Sequence, residues 1–156
     1  MSAMDRVMVW SEGLSRVVLT AWAGALWAVV AWVAPTVFGV VEPEAGAMLA
    51  GEVAGRLFRG LAWGGLLAGL VLGGLWYRGR QLDRVTLWVL AVAAGAPVAS
   101  ENFLRPKMEI ARAAAHAAGL QNASLNEAFA LLHGASAALF VVAAGALAWL
   151  VVRRGR

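Results

Sequence analysis

The sequence predicts an all-α integral membrane four-helix bundle, and three observations carry that expectation. Hydrophobic residues make up 62% of the 156 and charged residues only 14%, with a mean hydropathy of +0.73, well beyond the apolar share of soluble domains. Four separate stretches are long and apolar enough for the ~30 Å hydrocarbon core of a bilayer. The charged residues gather almost entirely in the segments between and beside these stretches. An ordinary water-soluble enzyme is excluded on this composition. The net charge of +4 comes without a basic run longer than Arg153-Arg154, so a nucleic acid is not an expected partner. The absence of cysteine removes disulfides, thiolate metal sites and cysteine nucleophiles together.

The whole chain reads as a single four-span transmembrane domain, residues 1–156. The first span is expected at 17–41, which holds no charge and would reach ~37 Å as a helix. It is longer than a cleavable signal core and carries Trp22, Trp27 and Trp32, so it reads as a retained helix. Before it, Met4, Val7, Met8, Ser11 and Leu14 lie at helical spacing, which fits an interfacial helix or a plain extension of the first span. Pro43 ends the first span's outer continuation, and helical spacing resumes from Ala45 to Leu57. The second and third spans are expected at 60–77 and 85–104, both near the short limit for crossing. The turn from Arg78 to Arg84 is too short to hold a site. Pro106 is expected to open a helical outer loop between the third and fourth helices, with Gly119 as a stop. Ser124-Leu125-Asn126-Glu127 has the serine-to-glutamate spacing of a capping box, and the fourth span follows at 128–152.

Orientation follows from the basic residues that resist translocation. One side would hold Arg6, Arg16, Arg78, Arg80, Arg84, Arg153, Arg154 and Arg156; the other holds Arg56, Arg59, Arg105, Lys107 and Arg112 together with most of the acids. Both termini are therefore expected in the cytoplasm, with the protein in a bacterial inner membrane. Trp22, Trp76, Tyr77, Trp88 and Trp149 fall near that same side and read as an interfacial aromatic belt.

Lipid tails are as apolar as leucine, so spans associate through close backbone approach at small residues. Gly65, Gly69 and Gly73 repeat every four residues along the second span, and Gly134 with Ala138 offers a similar patch on the fourth. These are the expected packing positions, within one chain or against another membrane subunit or a second copy.

Polar groups inside the bilayer are costly and usually face a bundle interior. His133 is the foremost of these. Its imidazole needs either a helix-to-helix hydrogen bond, with Glu101, Asn102, Ser100 or Thr36 as candidates, or a role as a metal or haem ligand. Glu101 and Asn102 near the outer end of the third span fit a proton or cation relay with Glu127 or Glu109, or a plain pairing with Arg105. A copper site would draw on His133, Met108 and His116, with Met48 nearby, since thioether and imidazole suit that metal; their spacing follows no dedicated metal motif. No phosphate-binding loop, serine triad or HExxH pattern is present, and no catalytic residue is assigned.

Three segments carry a family resemblance. Ala34-Pro35-Thr36-Val37-Phe38 with Ala45-Gly46, then Phe103-Leu104-Arg105-Pro106, then Phe129 to Ser136 with its Phe-x-x-x-His-Gly-x-Ser pattern resemble elements of the transmembrane-protein-205-like family of small four-helix membrane proteins. That family sits in a wider superfamily with the copper-resistance D proteins and the HemJ-type protoporphyrinogen oxidases. After the serine, where relatives often carry a polar residue, this chain continues Ala137-Ala138-Leu139-Phe140. The resemblance implies a four-helix architecture and gives His133 and Ser136 weight as an intramembrane polar site. It also implies, by analogy, copper or haem as a ligand. The leading expectation is a non-enzymatic accessory, assembly or ligand-binding membrane protein, with membrane lipid and other membrane subunits or a homo-oligomer as partners. A metal-cation transporter is the alternative, and a haem-binding redox protein a further one. Facing discriminates them: Glu101, Asn102 and His133 turned into one hydrated cavity fit transport, whereas an outward glycine ridge fits docking.

Overall fold

The computed structural model describes residues 3–33, 35–36, 46–117 and 123–155. Every regular element among them is helical. Helix α1 spans Ala3–Ala28 and ends in a π-helical turn, Val29–Val33. Helix α2 spans Gly46–Arg78. The next crossing is made by α3, Arg84–Ala99, a second π-helical turn, Ser100–Leu104, and α4, Arg105–Ala117. Helix α5, Ala123–Gly155, completes the fold. Among the described residues, four helices are long and apolar enough to cross a membrane: Val9–Val33, Glu52–Arg78, Arg84–Ala114 and Glu127–Arg154.

These bounds differ from the sequence reading in instructive ways. Residues 3–16 continue α1 without a break, so of the two readings for that stretch the plain extension is the one observed. Residues 37–41 and Pro43 lie outside the described residues, as does Gly119. Helix α4 begins at Arg105, beside Pro106, but without a break from the helix before it. The chain passes from α3 through the π turn into α4 as one rod, with the Arg105 N–H bonded to the Ser100 carbonyl five residues back. Pro97 explains the change of winding: lacking an N–H and crowding the preceding turn, it disturbs the regular ladder inside the helix, and a π turn re-pairs the groups that follow. Asn102 assists by donating its side-chain amide to the Val98 carbonyl at 2.8 Å.

The helices form a closed ring in which α1 touches α2 and α5, and α3 touches α2 and α5. The core between them holds Leu19, Trp22 and Leu26 of α1, Leu72 and Trp76 of α2, Leu90, Ala93 and Ala94 of α3, and Phe140, Ala143, Ala144, Leu147 and Leu150 of α5. Phe58 joins Phe140 across the bundle, ring centroids 4.7 Å apart. Fewer than a third of the residues in each span are buried, and Leu67, Leu70, Val141 and Val142 point outward. Such an apolar exterior is what a lipid-facing bundle presents.

The glycines divide sharply. A Cβ at Gly65 would lie 2.7 Å from Trp22 Nε1, and one at Gly69 would lie 2.9 Å from the Ala94 Cβ; Gly73 faces Leu90. These three make room for an indole and a neighbouring helix within the chain. Gly60, Gly64, Gly74, Gly134 and Gly145 meet nothing within 4 Å. The aromatic belt is corrected in the same stroke. Trp22 and Trp76 are core residues, 6% and 2% exposed, because the small residues opposite admit their rings. Tyr77, Trp88 and Trp149 do lie outside.

Candidate functional site

The polar residues of the bundle gather at two levels, one at each end. At the first, the turn after α2 closes with a Schellman motif: the Gln81 N–H bonds the Trp76 carbonyl at 2.9 Å and the Arg80 N–H bonds the Tyr77 carbonyl at 3.1 Å. Asp83 then caps α3 by accepting the Thr86 N–H at 2.9 Å. Its other oxygen takes a hydrogen bond from Arg153 at 2.6 Å, tying the turn to the end of α5. Thr86, through its side chain and its backbone N–H, and then Arg153 hold the Asp83 carboxyl down at about 2 from its ordinary 3.8. Arg154 donates to Gln81 Oε1 at 2.8 Å and to the Gln81 carbonyl at 2.9 Å. A cleft of about 410 Å³ is lined by Arg80, Gln81, Leu82, Asp83, Thr86, Arg153 and Arg154. The turn does not stand alone: the end of α5, seventy residues away in sequence, supplies the second wall of the cleft. The Asp83-to-Thr86 spacing is a helix-start signal that the sequence does display.

The second level lies eighteen residues along the third crossing from Asp83, ~27 Å at the helical rise and close to the hydrocarbon thickness. There Glu101, its side chain 9% exposed, accepts from Arg105 at 2.9 Å and faces Arg59 at 3.5 Å. Arg105 also pairs with Glu109 at 3.0 Å and donates to the Gly55 carbonyl at 2.8 Å. Gly55 permits this approach: a Cβ there would lie 2.9 Å from the Arg105 guanidinium. One arginine thus joins two turns of α4 and the π turn to α2. One residue earlier, the buried Ser100 shares a 2.7 Å hydroxyl hydrogen bond with Ser136 of α5.

His133 takes a different place from the one expected of an intramembrane imidazole. It is exposed, and its ring stacks on Phe129 at 5.9 Å with an 11° interplanar angle. The reason is register: Leu132, Ser136, Leu139 and Phe140 of α5 hold the inward positions, which rotates His133 to the flank. Among the described residues it forms no hydrogen bond with Glu101, Asn102, Ser100 or Thr36; Ser100 is taken by Ser136, and Asn102 by its own backbone. Twenty residues separate His133 from Arg153, ~30 Å of helix, so the imidazole stands at the level of the Glu101 network.

The residues expected to line a transport path are therefore not gathered. Glu101 points inward into its arginines, whereas Asn102 and His133 are exposed. Glu101 and Glu109 share Arg105, and Glu127 is exposed on α5. Among the described residues no three His, Asp or Glu side chains converge as a metal would require. Met108 is half-buried on α4; the side chains of His116 and Met48 lie outside the described residues.

Four membrane-length helices in one ring, charged at both ends and apolar outside, define the class: a multi-pass helical membrane protein. Within that class, a model of the family described as "Domain of unknown function (DUF4149)" matches residues 17–117, about two thirds of the chain, and the chain belongs to that family. The matched region takes in the latter part of α1, from residue 17, and all of α2, α3 and α4, and ends before α5. No curated protein and no solved structure matches the chain.

Proposed function

We propose that this is a non-enzymatic protein of a bacterial inner membrane, both termini cytoplasmic, that serves as an accessory or assembly partner of other membrane subunits. The reading accords with the resemblance to the transmembrane-protein-205-like family. The observation that carries it is the flank of α5 around His133. Ala130, His133, Gly134, Ala137 and Ala138 are all exposed there, and Gly134 meets nothing within 4 Å. Small residues let a second helix approach closely, and an imidazole that forms no hydrogen bond among the described residues can supply a directional one to it. The inward Glu101 and Ser100, by contrast, are paired, with Arg105 and with Ser136.

Photo-crosslinking from Ala137 in native membranes tests the proposal. The expected product is a discrete adduct with a membrane protein, weakened by Gly134→Leu; labelling of lipid alone would overturn it. Oxidised and dithionite-reduced absorbance spectra with elemental analysis belong beside it. A reducible Soret band, or stoichiometric copper, that disappears in His133→Ala would replace docking with a cofactor function.

A further inference from the structure

The positive charge of the chain is concentrated at the Arg78 to Arg84 end, and its disposition there is specific. Glu12 pairs with Arg16 and Asp83 with Arg153. Arg78, Arg80 and Arg84 pair with no acid among the described residues, and Arg154 gives its hydrogen bonds to Gln81 rather than to a carboxylate. Arg80, Arg153 and Arg154 line the open cleft.

Two of these guanidinium groups are held in place before any ligand arrives. Arg154 lies over the Trp76 ring at 4.2 Å while Gln81 holds its edge, and Arg153 lies over Trp149 at 4.8 Å while Asp83 holds its edge. Fixed side chains lose less freedom on binding, and each guanidinium has donors beyond those its neighbours occupy. Arg80 adds a third observation. It occupies the Schellman position that favours glycine, with φ 52°, although Gly79 stands one residue away. A left-handed non-glycine residue is disfavoured, and from that position Arg80 lines the cleft. Tyr77, Trp88 and Trp149 are exposed at this end, which sets the cleft at the height where amphipathic rings meet lipid headgroups.

We propose that this cleft binds the phosphodiester headgroup of an anionic phospholipid, with Arg80, Arg153 and Arg154 donating to its non-bridging oxygens. Free phosphate offers the same oxygens, but the collar of interfacial aromatics favours a headgroup whose acyl chains run down the bundle's apolar exterior.

Native mass spectrometry of the full chain, released from detergent holding equimolar phosphatidylglycerol and phosphatidylcholine, reads the preference directly. The anionic lipid should be retained about fivefold over the zwitterionic one. Arg80→Gly should lower the ratio clearly, with no loss of melting temperature, because glycine suits the left-handed backbone. Arg56→Gln, at the other end, should leave the ratio unchanged. Equal retention of both lipids by the native chain, or an unaltered ratio in Arg80→Gly, would overturn the proposal. So would millimolar inorganic phosphate that stabilises the protein as well as phosphatidylglycerol does, since the site would then take a free anion.

Discussion

At Asp83 the two carboxylate oxygens do different things: one caps α3 through the Thr86 N–H, and the other clasps Arg153 of α5. Its carboxyl is depressed from 3.8 to about 2, so the folded state binds that proton less readily than the unfolded chain. The stability this group contributes is fully present above 3.8 and is lost as the pH falls through about 2. Melting of the wild type in detergent from neutral pH down to that window should show this loss, and Asp83→Asn should remove its share while lowering stability at neutral pH. Parallel curves for the two proteins would show the clasp to be inert. Half of this device was legible in sequence, since an aspartate three residues before a threonine at a helix start signals a cap. Its pairing with Arg153 was not, because only the ring arrangement of α3 and α5 brings the two ends together. His133 teaches the converse. Its depth could be read from residue counts, but its facing depends on Ser136 and Leu132 taking the inward register.

Among elements, α2 is where local pattern and packing agree best. Its four-residue glycine repeat is visible in the sequence, and the structure places Gly65 and Gly69 under Trp22 and Ala94. Gly69→Leu must push α3 away from α2, an overpacking penalty of ~1–3 kcal/mol or more. His133→Ala, on an exposed flank, should stay within ~0.5 kcal/mol. Thermal melting of the two variants in one detergent checks the contrast, and a leucine variant that melts like wild type would remove the close-packing argument. Less legible was which glycines face inward, because Gly64 and Gly65 are adjacent in sequence yet only the second lies under an indole. On the third crossing an α-helix does begin beside Pro106, but the change of winding after Pro97, absorbed in a π turn without ending the rod, has no signature in the sequence.

For the molecule as a whole, fold class and span number followed from composition and apolar length, which depend on no tertiary detail. The arrangement of charge between elements did not, since pairings such as Arg59 with Glu101 and Arg154 with Gln81 join parts of the chain far apart in sequence. The two charged levels also have a mechanical meaning. The clasp at Asp83 and the network at Glu101 stand ~27 Å apart on a continuous helix, and packing holds that separation fixed. A bilayer with much longer acyl chains would draw Arg59 or Arg84 into hydrocarbon, and one with shorter chains would expose core-level leucines to water. Each ångström of mismatch costs a fraction of a kcal/mol. Reconstituted into lipids of increasing chain length, the protein should reach its highest melting temperature at about sixteen to eighteen carbons and lose stability on either side. A flat profile would mean that tilt takes up the difference. With the peak, the bundle acts as a gauge of membrane thickness and will partition toward regions whose thickness suits it.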